Sequence, residues 1–198
     1  MEHENKRMGL ALCGSFCTFE RVLAAAEALT ADGWTVTPIL SFRAAHTDTR
    51  FGEAACTRGA LERISGRPVI DTIPGAEPIG PKKLFDVLAV APATGNTIAK
   101  LAAGIADTPV TLAVKSHLRN GGPVVIAVST NDGLGANAAN IGTLLARKHI
   151  FFVPFGQDDP ENKPHSLVAD FSRLGAAADA ALNGRQLQPV LLGSEKEK

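Results

Sequence analysis

Short, uniformly apolar runs alternate with amphipathic segments along this chain, and this alternation limits the possible fold more than any other feature. The runs predicted to be strands are residues 9–13, 34–40, 68–73, 85–91, 123–129 and 150–154. The segments predicted to be helices are residues 19–31, 51–65, 98–106, 109–118, 136–147 and 166–183. Strands that are apolar on both faces are typical of a parallel sheet covered by helices on both sides. The pattern therefore predicts an α/β fold: a three-layer, doubly wound parallel sheet of the Rossmann or flavodoxin-like type.

The length of 198 residues fits a single domain with a core large enough to fold alone. We expect a flexible N-terminus at residues 1–7, the folded domain at residues 8–184 and a C-terminal tail at residues 185–198. The polar stretch 41–48 and the stretch 73–83, which is rich in Pro and Gly, are predicted to be loops.

Charge and composition narrow the classes of partner. The chain balances 20 Lys and Arg against 20 Asp and Glu, so it has no overall field that would attract nucleic acid or anionic membranes. No apolar stretch reaches the roughly 18 residues of a membrane span, and the charged start lacks the apolar segment of a signal peptide. Three cysteines without metal-ligand spacing fit a reducing cytosol. We therefore expect a cytoplasmic protein with no metal, nucleic-acid or membrane partner.

Four predicted loops should meet at one edge of the sheet, because open α/β sheets bind ligands at the carboxyl ends of their strands. These loops, rich in hydroxyl, amide and glycine residues, are residues 14–18, 41–46, 92–97 and 129–135. Two of them lead directly into helices, and helix N-termini favour phosphate. Neither a dinucleotide-binding Gly-x-Gly-x-x-Gly motif nor a P-loop occurs, so a mononucleotide is the expected ligand. Ordinary helix caps and turns are the alternative explanation for each loop.

The stretch Pro92-Ala93-Thr94-Gly95-Asn96-Thr97, with the residues up to Asp107, resembles a flavin-binding signature. It is similar to that of the homo-oligomeric flavin-containing Cys decarboxylase family, and the Gly14-Ser15 turn and Ser41 match the same pattern. Within this family, residues 8–170 resemble the branch of the dipicolinate synthase B subunits, above all in segments 129–141 and 151–160. The resemblance implies an FMN site formed by Gly14, Ser15, Phe16, Ser41, Ala93, Thr94, Asn96, Thr97, Ser129 and Thr130.

The chain departs from the decarboxylases of this family at two places. They carry a histidine after the second helix, whereas residues 65–79 contain none, and their Pro-x-Met-Asn-x-x-Met-Trp motif is replaced by Ser-Thr-Asn-Asp-Gly-Leu at 129–134. The resemblance implies instead that dihydrodipicolinate is oxidised to dipicolinate during sporulation, with an A subunit that binds NAD(P). It also implies a homo-oligomer, a trimer or a dodecamer. A flavin-dependent decarboxylase of a small substrate and a cofactor-free structural partner of the A subunit are the alternatives.

Cationic and amide side chains near the predicted loops are candidates for binding a dicarboxylate substrate, because such groups pair well with carboxylates. The candidates are Arg43, His46, Lys115, Arg119 and Asn131. A solvated helix end or surface loop is the alternative explanation for the charged ones. The sequence predicts no particular catalytic residue.

Overall fold

The computed structural model describes residues 6–193. Within these residues, the strands form one seven-stranded sheet. They are β1 (Arg7–Leu12), β2 (Thr35–Leu40), β3 (Val87–Ala93), β4 (Val124–Thr130), β5 (Ile150–Phe152), β6 (Phe155–Gly156) and β7 (Leu167–Ala169). The first five are parallel, in the order β2-β1-β3-β4-β5. This confirms the predicted doubly wound fold, in its flavodoxin-like strand order.

Helices cover both faces of the sheet. They are α1 (Phe19–Ala31), α2 (Phe42–His46), α3 (Ala54–Ser65), α4 (Ile73–Ala76), α5 (Gly95–Ala103), α6 (Pro109–Arg119), α7 (Ala138–Leu145) and α8 (Leu174–Leu182). From β1 the chain moves to β2 at one edge of the sheet, and from β3 it moves to β4 towards the opposite edge. Right-handed crossovers therefore place α1 and α6 on opposite faces. Helix α8 contacts α1, and α5 contacts both α6 and α7, which completes the two layers.

The central strands lie fully inside the protein. All seven residues of β3 are buried, as are all residues of β4 except its last, Thr130. Burial on both faces explains why these strands read as unbroken apolar runs rather than as alternating ones.

Two predicted loops contain short helices, so those predictions were wrong. In the first, the Ser41 hydroxyl accepts a hydrogen bond from the Ala44 N–H at 3.3 Å and thereby caps α2. In the second, the Thr72 hydroxyl caps α4 in the same way, and a proline in the first turn is compatible with that helix.

The predictions also missed the antiparallel part of the sheet. The predicted helix 166–183 begins instead with β7, which pairs with β6 and with Ser129 and Thr130 at the end of β4. Only its last part forms α8. The predicted strand 68–73 is reduced to one bridge, between Ile39 and Ile70.

Residues 185–193, predicted as part of a tail, pack against the sheet. The Phe155 N–H donates to the Val190 carbonyl at 3.0 Å, and the Leu192 N–H donates to the Phe155 carbonyl at 2.9 Å. The Gln186 side chain makes two hydrogen bonds of 2.7 Å to the backbone of Phe152. At the other end, Arg7 already belongs to β1. The predicted flexible termini otherwise fall on residues 1–5 and 194–198, which lie outside the described residues.

Candidate functional site

A cleft opens at the carboxyl ends of the strands, where the order of the sheet reverses between β1 and β3. This reversal is where doubly wound sheets bind their ligands. The cleft has a volume of about 500 Å³, within the range of about 300–1,000 Å³ that is typical of small-molecule sites. Its lining residues are Cys13, Gly14, Ser41, Phe42, Arg43, Thr94, Asn96, Thr97, Lys100, Thr108 and Thr111.

Three helices begin at this cleft, each with a hydroxyl side chain as its N-cap. Ser41 caps α2, Thr94 accepts from the N–H of Thr97 at 3.2 Å to cap α5, and Thr108 accepts from the N–H of Thr111 at 3.1 Å to cap α6. The first turns of three helices therefore face one space, two of them belonging to the longer helices α5 and α6. This arrangement favours a ligand that carries an anionic group.

Two cations line the cleft, and one of them is already paired. Lys100 contacts both carboxylate oxygens of Asp107, at 2.7 and 2.8 Å, and this hydrogen bonding lowers the pKa of Asp107. Arg43 is exposed and takes part in none of the ion pairs found in residues 6–193. Arg43 is therefore the cation most available to an anionic ligand.

The buried side of the cleft includes the thiol of Cys13. Burial raises the pKa of this thiol to about 11, and hydrogen bonding with Thr97 and the backbone of Thr94 offsets the effect only in part. Cys13 is therefore a neutral thiol at physiological pH. It offers the cleft a weak hydrogen-bond donor rather than a nucleophilic thiolate.

A second group of predicted site residues lies beside the cleft and makes contacts within the protein. The Ser15 hydroxyl lies 2.6 Å from that of Ser129, and the Thr18 hydroxyl is 3.5 Å from Ser129. The Phe16 ring packs 5.2 Å from that of Phe19. Ala93, Thr130 and Asn131 also lie outside the cleft lining.

The predicted site residues are thus divided. The structure brings six of them together around the cleft: Gly14, Ser41, Arg43, Thr94, Asn96 and Thr97. It places Ser15, Phe16, Ala93, Ser129, Thr130 and Asn131 around that cluster without making them part of the lining. Their assignment to a cofactor or substrate stays a prediction.

The structure does not bring Lys115 and Arg119 to the cleft, which corrects their grouping with the loop residues. Both line a separate groove of about 450 Å³, with Glu77 and Lys82. They follow the start of α6 by nearly two and nearly three turns, on the way to the amino end of β4. His46, at the end of α2, is exposed and does not line the cleft either.

Five residues of the lining were not predicted: Cys13, Phe42, Lys100, Thr108 and Thr111. Thr108 carried a signal that was available, since a threonine directly before a proline marks a helix start. No pattern in the sequence shows that this helix start faces the same space as those of α2 and α5.

The matching family model, described as Flavoprotein, covers residues 1–165. The chain belongs to the flavoprotein family. Among curated proteins, this flavoprotein is similar to the B subunit of dipicolinate synthase from Bacillus subtilis (strain 168). The two are 46% identical over 189 residues, which cover 96% of this chain and 94% of the relative. The resemblance to that branch of the family is thereby confirmed.

Solved structures of other proteins share the fold of this flavoprotein. The crystal structure of the dipicolinate synthase B subunit from Bacillus halodurans C has a TM-score of 0.88 at 44% identity, covering 98% of this chain and 99% of that one. Burkholderia xenovorans DmrB in complex with FMN, described as a cubic protein cage for redox transfer, has a TM-score of 0.66. It is 20% identical and covers 91% of this chain and 97% of its own, so it supports the fold alone. No helix within residues 6–193 is long and apolar enough to cross a membrane.

Proposed function

We propose that this flavoprotein binds FMN in the cleft and acts as the B subunit of a dipicolinate synthase. Together with a nicotinamide-binding A subunit, it would oxidise dihydrodipicolinate to dipicolinate. The observation that carries the proposal is the convergence of three capped helix starts and Arg43 on one cleft of about 500 Å³. The 46% identity to a dipicolinate synthase B subunit supports the choice of reaction.

The donors around the cleft fit a mononucleotide flavin. The Ser41 hydroxyl and the Arg43 guanidinium would bind the phosphate, because a charged donor and a helix start both favour phosphate oxygens. Thr94, Asn96 and Thr97 would hold the uncharged polar atoms of the flavin. The bound flavin would supply a hydride acceptor for ring desaturation, while the protein orients the substrate beside it.

The cleft residues contain no strong general base among their polar groups. Cys13 holds its proton, because its pKa is raised to about 11, and the Lys100 ammonium is paired with Asp107. We infer that the chain itself contributes binding, orientation and exclusion of water. The A subunit would supply what else the reaction needs, and this is why activity would require both subunits.

We also propose a homo-oligomer in the cytoplasm. Phe42 lines the cleft and yet is 42% exposed, which suits a surface that another protomer covers. Cys13, Cys17 and Cys56 are free thiols, as suits a reducing compartment.

Calorimetric titration of the purified chain with FMN tests the cofactor. We expect saturable binding and the visible absorbance of a bound flavin. Asn96→Ala should weaken binding, since Asn96 lines the cleft and no hydrogen bond found within residues 6–193 would be lost with its side chain. Asn183→Ala is the control: it removes an exposed amide at the end of α8, which donates to the Asp179 carbonyl and lies outside the cleft lining, and it should bind FMN as the unchanged chain does.

The reaction is tested by mixing the flavin-loaded chain with a dipicolinate synthase A subunit and dihydrodipicolinate. We expect dipicolinate only when both subunits are present. Absence of flavin binding would exclude the proposed cofactor and favour a structural partner. Release of carbon dioxide from a cysteinyl substrate by this chain alone would favour a decarboxylase instead.

A further inference from the structure

A polar cluster beside the cleft takes no part in the proposed function as stated so far. Its centre is the carboxylate of Asp132, which accepts a hydrogen bond from the Thr130 hydroxyl at 2.5 Å and another from the Asn137 amide at 2.8 Å. The Asn140 amide in turn donates to the Asn137 side-chain oxygen at 3.0 Å. Asn137 is buried and Asp132 is half-buried. Hydrogen-bond networks that are satisfied in this way hold their members in one arrangement.

The first turn of α5 rests directly on this cluster. A Cβ atom at Gly95 would lie 2.5 Å from the Asn137 amide nitrogen and 2.7 Å from both Asp132 Oδ1 and Thr130 Oγ1. Only a residue without a side chain allows so close an approach. The next two residues, Asn96 and Thr97, line the cleft. The cluster therefore fixes the place from which these two side chains reach the ligand.

The Asp132 carboxylate also lies at the positive end of α5. A carboxylate there offsets part of the positive potential that the helix start would otherwise present. The start of α5 therefore attracts a second anion less strongly than the region of Ser41 and Arg43, where the Arg43 guanidinium is available. The two ends of the cleft thus differ in charge.

We propose that Asp132 is a positioning residue that fixes the start of α5 and sets a negative charge beside the bound flavin. The inference rests on the proposed function. It assigns the phosphate to the side of Ser41 and Arg43, and the uncharged ring to the side of Asn96 and Thr97. Because the ring gains negative charge on reduction, the Asp132 carboxylate opposes reduction and lowers the reduction potential of the bound flavin.

The test compares the FMN-loaded chain with the variant Asp132→Asn. The amide oxygen can still accept from Asn137 and its nitrogen can donate to the Thr130 hydroxyl, so shape is kept while the charge is lost. We expect unchanged FMN stoichiometry. The equilibrium against a reference dye should move towards reduced flavin, on the order of tenfold, because loss of a nearby negative charge favours the anionic reduced ring. For a two-electron couple this is a rise of about 30 mV.

Asp179→Asn is the control, since it removes the same charge from a half-buried position on α8, where Asp179 pairs with Lys6 outside the cleft lining, and it should leave the potential unchanged. Asp132→Ser is a second variant that removes the charge, and it should shift the potential in the same direction. An unchanged potential with FMN still bound would overturn the role of Asp132 and leave the flavin site standing. Loss of FMN from both variants together with lower melting temperatures would assign the cluster to folding alone. Failure of the unaltered chain to bind FMN would overturn both proposals.

Discussion

The hydroxyl of Ser15 lies 2.6 Å from the hydroxyl of Ser129, so the turn after β1 is joined to the end of β4. Strand β3 lies between these two strands in the sheet, and the contact therefore passes over its carboxyl end. The sequence predicted both serines as cofactor contacts. In the structure they bind each other and hold two of the site loops together.

Loss of this contact should destabilise the fold. We expect Ser15→Ala to lower the free energy of unfolding by about 1 kcal/mol, the usual net contribution of one hydrogen bond, because the buried Ser129 then keeps only the longer contact to Thr18. Urea denaturation measures the change. The double variant Ser15→Ala/Ser129→Ala should cost less than the sum of the single variants, since both remove the same bond. Strictly additive effects would show that the two hydroxyls are not coupled.

A methyl group at Gly95 should abolish flavin binding. Its Cβ would lie within 2.7 Å of three polar atoms, so the start of α5 has to move away from the cluster around Asp132. We expect Gly95→Ala to lose FMN binding by calorimetry and to melt at a lower temperature. Gly59→Ala is the matched control: Gly59 lies inside α3, and a Cβ there meets nothing within 4 Å. The control should bind FMN normally and gain up to about 1 kcal/mol of stability from its better helix propensity.

The parallel core and the position of the cleft could be predicted from sequence for a simple reason. Burial on both faces gives β3 and β4 an unbroken apolar pattern, and the rule about carboxyl ends then points to the loops that follow them. The β6–β7 pair could not be predicted in this way. Its strands have two and three residues, and their pairing with Ser129 and Thr130 depends on contacts distant in sequence.

The sequence could not predict which way individual side chains point either. Gly14 lines the cleft while the next residue, Ser15, turns its hydroxyl to Ser129, and only the backbone angles of that turn separate the two roles. Lys115 and Arg119 follow the start of α6 closely in sequence, but the helix carries them away from the cleft that its first turn faces. A pattern of residue types does not show which of these side chains lie at the cleft.

The raised pKa of Cys13 predicts a loss of stability in alkaline solution. The folded protein favours the neutral thiol, with a pKa of about 11 against an ordinary value of 9.0, so the unfolded chain releases this proton first. The neutral Cys13 thiol contributes fully to the free energy of unfolding below pH 9. This contribution decreases as the pH rises from about 9 to 11, by at most about 3 kcal/mol. Urea denaturation across this range should show the decrease. Cys13→Ala should flatten that part of the profile, whereas Cys56→Ala, at an exposed position, should leave it unchanged. An equal slope in both variants would show that other groups cause it.

Arg43 and Arg119 should differ sharply in their effect on flavin binding, because Arg43 lines the cleft and Arg119 lines the separate groove. We expect Arg43→Gln to weaken FMN binding roughly tenfold to a hundredfold, the range for loss of a charged hydrogen bond. Riboflavin, which lacks the phosphate, should bind that variant and the unaltered chain equally. Calorimetry with both ligands measures the difference, and Arg119→Gln serves as the control.

If Arg43→Gln weakened the binding of riboflavin as much as that of FMN, Arg43 would not act on the phosphate. If Arg119→Gln alone weakened FMN, the flavin would belong in the other groove, because a cation attracts a phosphate strongly only at short range in salt solution.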